Sequence, residues 1–473
     1  MADSQFEGRL APIRKLRVNQ PSYARHARNP TIEPELSRLV RVCRFVAVAW
    51  VAAVVYADYK SVQLWSRLVG EARKEERYRR QDLRAAQAMY RTAVRMQGML
   101  IKAGQFMAAR ADVLPDAWVT TLSALHDRVP PRPFAVIRAR VEGELGRPLE
   151  SVFAEFDPVP IAAASLAQVH AARLHDGRRC AVKVQYPEVE GIVRGDLRNL
   201  TFILRVLAWL EPDCDFRMLT REALKYVPME LDFEHEADNC ETIARNLASR
   251  SDVVVPRVYR ELSTRRVLTM ELLDGVKVTD LAGLERAGID KHALAQKLME
   301  VFCEQVLRDG FFHADPHPGN ILVQPGPRLV LLDFGLAKDF PPRFRDGIVR
   351  LTFSILVSDL DGMSRAFHDL GFRTRDGSPQ TLVTLADLML GSLVRRGKAY
   401  ADKQLIQDFS EQLPRTLRVN PIVEIPADVL LVMRVMGLLS GLSKTLDSSV
   451  DLFSTIMPYA QGLAASAPRA AAD

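Results

Sequence analysis

An aspartate placed at the mouth of a strand constrains this chain more than any other feature. The apolar run Leu329 to Leu332 gives out into Asp333-Phe334-Gly335, so a carboxylate projects from a strand end where the chain turns. A lone triplet of this kind is weak evidence. His313-Ala314-Asp315 lies upstream, however, and Asn320 follows Asp315 by five positions. Between Asn320 and Asp333 come a short strand (Ile321 to Val323), a turn at Pro325, Gly326 and Pro327, and the second strand. That path returns the Asn320 amide oxygen and the Asp333 carboxylate to one cleft, where both can hold Mg²⁺ on nucleotide phosphates while Asp315 serves as base. A lysine that positions phosphate should sit on a strand. Lys183, in Ala181-Val182-Lys183, does so on the second arm of a predicted hairpin, Val169 to Leu174 and Cys180 to Val184 around Asp176 and Gly177. Its long side chain needs a carboxylate to fix it. The downstream cluster Glu230, Asp232, Glu234 and Glu236 offers one on a predicted helix.

At 473 residues the chain is too long for one ordinary core, so two lobes with appendages are expected. Hydrophobic residues at 48%, charged residues at 26% and a mean hydropathy of −0.04 exclude a mainly disordered chain and a polytopic membrane protein. The net charge of +6 suggests an anionic partner: nucleotide, acidic lipid or nucleic acid. Nucleic acid is disfavoured because the basic residues are not interleaved with aromatics on one element. Five scattered cysteines without a CxxC pair predict reduced, structural thiols and a cytosolic face. The sequence indicates no oligomeric state.

Along the chain, residues 1–80 form a basic arm with Pro21, Pro30 and Pro34, then an apolar stretch from Phe45 to Ala57. Those 13 residues are short for a span, which takes about 20. If Arg41 and Arg44 snorkel, the stretch extends back to Leu39, and flanking arginines favour an anionic membrane surface over a helix buried within the protein. Its distance from Met1 argues against a cleaved signal peptide. Residues 81–133 form a helical extension: a long helix from Gln81 to Ala111, ended by the breaker Arg128 to Pro133. Residues 134–273 carry the hairpin, a helical middle and two more strands, Val253 to Val258 and Arg266 to Leu272. Residues 274–473 are mainly helical. A small strand-containing lobe before a helical lobe is the outline of an α+β, protein-kinase-like fold. In it, Met270 to Gly275 is the hinge, with Glu271 and Leu273 meeting adenine through their backbone and Gly275 permitting the turn onward.

From roughly Ala88 to Leu446 the sequence resembles the UbiB family of atypical kinases, also called aarF-domain kinases. Ala162-Ala163-Ala164-Ser165 stands where other kinases carry a glycine-rich loop. Lys102-Ala103-Gly104-Gln105 matches the family's KxGQ motif, Glu230-Leu231-Asp232 its ExD motif, and Glu236 its helix-αC glutamate. Lys102 and Gln105, three apart on a helix, share a face. The resemblance implies that their helix occupies the cleft where a peptide substrate would bind, with Lys102 paired to Glu230 and protein chains excluded. ATP and Mg²⁺ are the cofactors that the residues predict, the apolar stretch and reduced thiols predict a kinase body attached on the cytoplasmic side of a membrane, and the resemblance implies a small lipid or quinone-like substrate. Ala314 replaces the arginine that grips a phosphorylated activation loop, and no APE follows Gly335, so that form of switching is not expected. The 53 positions from Lys183 to Glu236 include the apolar run Leu200 to Leu210 and predict an inserted helical element in the first lobe. His313 and His317 bracket Asp315. Since Mg²⁺ prefers oxygen, they are expected to prop the loop, which Pro316 and Pro318 stiffen.

The expected function is therefore a membrane-associated, ATP- and Mg²⁺-dependent atypical kinase or ATPase in isoprenoid-quinone or related lipid metabolism. The alternatives are a protein serine/threonine kinase and a nucleotide-sensing pseudokinase without turnover.

Overall fold

The computed structural model describes residues 38–66, 71–96, 99–108, 115–125, 131–211, 229–357, 359–378, 380–386 and 426–448, with short pieces at 224, 420, 422–424, 450, 455 and 457–459. Four helices lead: α1 (Arg38–Ser66), α2 (Glu71–Met96), α3 (Met99–Ala108) and α4 (Asp116–Ser123). Ala85, Ala86 and Ala93 of α2, Ile101 of α3, and Trp118 and Leu122 of α4 form a small core of their own with Leu125. The helix expected from Gln81 to Ala111 is met by α2 and α3; α2 already starts at Glu71, because the polar stretch before Gln81 hides its periodicity, and residues 97–98 lie outside the described residues.

Pro133 and Pro148 stand at the N-caps of α5 (Phe134–Leu145) and α6 (Leu149–Val152), where their missing N–H costs nothing. The first sheet follows: β1 (Phe153–Ala163), β2 (Ala167–Leu174) and β3 (Arg179–Gln185), joined later by β5 (Val267–Glu271) in the antiparallel order β1-β2-β3-β5. The hairpin holds as predicted, with Gly177 at φ 90° in its turn and Val169 opposite Lys183. Sequence periodicity did not announce β1. Pro158 and Pro160 interrupt it, it is irregular, and it lies mostly exposed at the sheet edge, where prolines are tolerated. Next come α7 (Val189–Leu210), the expected inserted helix, and α8 (Phe233–Asn246), which carries Glu236.

The strand predicted at Val253 to Val258 shrinks to β4 (Val253–Val254), since Pro256 has no N–H to continue a ladder. After β5 (Val267–Glu271) and β6 (Val276–Lys277), the second lobe holds helices Leu281–Arg286 and Lys291–Cys303 and a π-helical turn Glu304–Asp309. Then come β7 (Phe311–His313), β8 (Ile321–Gln324), β9 (Arg328–Leu331) and β10 (Ala337–Asp339). The second sheet runs β4-β9-β8-β6, with β4 parallel to β9, while β10 pairs antiparallel with β7. Among the described residues, helices Pro342–Leu356, Leu360–Leu370 and Ala427–Thr445 complete a helical lobe. The fold is α+β and two-lobed. One large core runs from α8 through Phe334 into those last helices, and a second lies under the first sheet. Gly275 is needed for close approach rather than for a special φ: a side chain there would press on Leu322 Cβ at 2.8 Å.

Candidate functional site

The site is built at the strand ends where the two lobes meet. Lys183 leaves β3 and gives two hydrogen bonds to Glu236, to Oε1 at 2.7 Å and Oε2 at 2.8 Å. Asp333 Oδ1 lies 3.5 Å from the same ammonium. The Glu236 side chain is 3% exposed and that of Asp333 50%, so one carboxylate fixes the lysine and the other faces the cleft. Burial favours the neutral amine of Lys183; Asp333 and Glu236 outweigh it and hold the ammonium above the ordinary lysine value. Burial pushes the Glu236 carboxyl up, against the pull of Lys183. Both Glu236 oxygens accept from the one ammonium, which fixes the lysine side chain in place.

Asp333 adopts φ 57°, a left-handed conformation that costs about 1–2 kcal/mol and is best tolerated by Asp, Asn and Gly. It is held there from both sides. Phe334 is fully buried, its ring packed edge-on to His313 at 5.4 Å, and its carbonyl accepts from Asn239 Nδ2 at 2.9 Å. His313 donates from Nε2 to the Leu332 carbonyl at 2.9 Å, while Nδ1 accepts from the Asp315 amide at 3.2 Å. Both ring nitrogens are thus used to tie Asp315 to the strand end before Asp333. His317 caps the short 3₁₀ turn Pro318–Asn320 by accepting from Gly319 N, and Asn320 Nδ2 donates to the Asp315 carbonyl at 3.2 Å. The two histidines are loop props, as expected.

Ala162, Ala163, Ala164, Ser165, Lys183, Glu236, Glu271, Leu273, Asp315, Asn320 and Asp333 all line one cavity of about 1190 Å³. Ala162 and Ala163 end β1, and the Ala164 amide is bonded to the Ala167 carbonyl at 2.8 Å, so the alanine turn is tight. Glu230 lines the cavity beside Met229, and Ala103 of α3 reaches it too. The side chains of Lys102 and Gln105 lie outside the described residues. Asp232, expected at the gate, accepts from the Glu234 and His235 amides at the start of α8. One turn ahead of Glu236, it secures the helix that presents Glu236.

Sequence reasoning missed Asn239 and Gln305. Gln305 is fully buried and accepts from the His313 amide at 2.9 Å. Neither had a local signal, since the partner of Asn239 is 95 positions away. Gly104 is also needed for packing, because a side chain there would collide with Leu125 Cδ1. The described cysteines are free thiols, and burial pushes Cys180 and Cys303 up to about 12, in keeping with structural roles; Cys214 lies outside the described residues.

A divalent ion delivered with phosphates fits this donor set. Among the described residues no group of three or more His, Cys, Asp or Glu could hold a metal alone. One carboxylate and one amide, both oxygen donors, leave most of a Mg²⁺ shell to phosphate and water.

The family profile described as the ABC1 atypical kinase-like domain matches residues 124–367. AarF domain-containing protein kinase 1 of Mus musculus is 33% identical over 88% of this chain and 80% of its own length. ACTIVITY OF BC1 COMPLEX KINASE 8, chloroplastic, of Arabidopsis thaliana is 32% identical over 87% of this chain and 58% of its own. Among solved structures, the complex of Rv3197 with erythromycin from Mycobacterium tuberculosis aligns with a TM-score of 0.57 and 26% identity, covering 81% of this chain and 97% of that one. The chain belongs to the ABC1 family of atypical kinases, the AarF or UbiB family whose motifs its sequence carries.

Proposed function

We propose that the protein is a membrane-associated, ATP- and Mg²⁺-dependent atypical kinase or ATPase that acts in isoprenoid-quinone or related lipid metabolism. The observation that supports this best is the continuity of the cavity. The cavity that Lys183, Asp315 and Asp333 line is also lined by an apolar annex: Val51 and Val55 of α1, Met89 of α2, and Ile203 and Leu207 of α7. One compartment thus offers phosphate-handling groups at one end and a surface for an apolar chain at the other. In this reading Mg²⁺ neutralises charge on the transferred phosphate when bound. Lys183 positions phosphate oxygens, Asp333 and Asn320 supply the protein's oxygen ligands, and Asp315 orients or deprotonates the attacking hydroxyl. Glu271 and Leu273 border the place for the base.

The test separates binding from turnover. Asp333→Asn is expected to abolish Mg²⁺-dependent nucleotide binding; Asp315→Asn should keep binding within about threefold and lower turnover by 10²-fold or more. Binding is read by calorimetry, and turnover by phosphate release with and without anionic liposomes. Loss of binding in Asp315→Asn with full turnover in Asp333→Asn would overturn both roles. Binding without turnover under every lipid condition would leave a nucleotide sensor. A quinone and lipid profile of cells lacking the protein tests the metabolic assignment.

A further inference from the structure

Helix α1 is long and apolar enough from Leu39 to Trp65 to cross a bilayer by length and composition, yet it is moored to the protein body along its side. Arg44 is buried and donates from Nε to Asp196 Oδ1 at 3.2 Å. The Phe45 ring meets the edge of Phe202 at 5.7 Å. Tyr56 donates to Glu211 at 2.7 Å, and Lys60 pairs with the same carboxylate. These moorings cover roughly 24 Å of α1, from residue 44 to residue 60, and run in step from 196 to 211 just past the end of α7. The two helices therefore lie side by side and parallel. Drawing α1 into a bilayer would pull this stripe off α7 and leave the buried Asp196 carboxylate without its cation.

The opposite stripe of α1 is open. Val42, Val46, Trp50, Val54, Leu64 and Trp65 recur at helical spacing and are all exposed, Trp50 to 69%. On α7, Phe202, Val206, Trp209 and Leu210 are exposed as well, Trp209 to 79%. Because Phe202 touches Phe45, the two open stripes join at their edge. Arg194, Arg198 and Arg205 are exposed on the same helix, and the Arg77 guanidinium lies over the Trp65 ring at 6.0 Å. Among the described residues of α1 and α7 the acidic side chains are Asp58 and Glu190, both half-buried, and Asp196, which is buried. Exposed apolar side chains with tryptophans and arginines are the signature of a helix lying in a membrane interface.

We propose that α1 and α7 together form a flat docking face for an anionic lipid surface, with α1 lying in the plane of that surface and not crossing it. This rests on the membrane association proposed above and specifies its geometry. It gives α7 a second purpose, because its inner side chains Leu200, Ile203, Leu204 and Leu207 wall the apolar annex of the cavity. Docking by the outer face sets that annex directly beneath the lipid.

The full chain is floated with phosphatidylcholine vesicles with and without phosphatidylserine, at low and high salt, beside V206E/W209E. Neither substituted residue lines the cavity, so retained nucleotide binding verifies folding. At least a tenfold loss of partition into anionic vesicles is expected, with a smaller, salt-masked loss for R198Q/R205Q. Nitroxide labels at V46C, W50C and V54C, with the native cysteines replaced by alanine, should report one shallow depth. A depth maximum at position 50 would show a spanning helix and overturn the in-plane geometry. Equal flotation of V206E/W209E and the native chain would remove α7 from the face while membrane association stands. If the native chain floats with no vesicle, membrane association itself falls. A lipid-free dimer dissociated by V206E/W209E would assign the face to a second copy and overturn the proposal.

Discussion

Two cation–carboxylate pairs, Lys183 with Glu236 and Arg44 with Asp196, are alike in contact and opposite in surroundings. Lys183 has a second carboxylate, Asp333, within 3.5 Å, so among the described residues this ammonium faces two carboxylates, and the more exposed of them lines the cavity. Arg44 meets the Asp196 carboxylate, and another of its nitrogens donates to the Met96 carbonyl, so this group joins α1, α2 and α7. Burial pushes the Asp196 carboxyl up in spite of Arg44. Desolvation therefore outweighs attraction there, as in buried pairs that an apolar couple can replace without loss. The half-open cluster, with a carboxylate facing the cavity, is equipped to receive a cation and phosphate. The closed one, which joins three helices, is a clamp.

Removing one carboxylate from each cluster tests that contrast most strongly. Asp196→Ala removes the carboxylate that faces the buried Arg44 guanidinium and is expected to cost about 3–5 kcal/mol in urea unfolding. Glu236→Ala leaves Lys183 with Asp333, so its stability loss should be the smaller, while misplacement of the lysine lowers turnover by roughly 10²-fold. The double change R44M/D196L should restore stability to near the native value or above it. If Glu236→Ala unfolds the protein more readily than Asp196→Ala, or the double change stays as unstable as the single, the distinction fails.

The same contrast explains what could be foreseen. Asp315, Asn320 and Asp333 were legible because one short β-turn-β path brings them together, and Lys183 because a hairpin has a fixed register. The partnership of Lys183 and Glu236 needed the family resemblance to select among four acidic residues. The clamp left no trace, since Arg44 and Asp196 are 152 positions apart and each resembles a surface charge on a helix. Likewise, 13 apolar residues indicated an apolar segment but not a 29-residue helix moored along one side. That outcome depends on tertiary contacts with α7, to which local periodicity is blind.

The N-terminal layer is held over the cavity by packing as well as by the clamp, and Gly104 separates the two. Gly104→Ala drives a methyl group into Leu125 and is expected to cost about 1–3 kcal/mol. Adding Leu125→Ala opens the space, so the glycine substitution should cost less in that background. Paired with Asp196→Ala, its effect should exceed the sum of the two single changes if clamp and packing form one cooperative unit. Simple additivity in melts would show two independent attachments.

The smallest effect concerns acid, and it locates the first loss of stability outside both clusters. His170 is fully buried in β2; its Nδ1 donates to the Asp157 carbonyl at 2.8 Å, and Nε2 accepts from Gln168 at 2.8 Å. Burial lowers its pKa below the ordinary histidine value, which the Asp157 carbonyl only partly offsets. The unfolded chain therefore takes up a proton that the folded chain refuses. The contribution of His170 is fully present above the unfolded value of about 6.5 and declines as pH falls below it. Asp196 titrates the other way: a raised folded pKa makes the folded state the better proton acceptor, so mild acid does not weaken the clamp through that carboxyl. His170→Gln should flatten the loss of stability between neutral pH and pH 5, measured by thermal melts across that range. An unchanged slope would move the acid-sensitive group away from the first sheet.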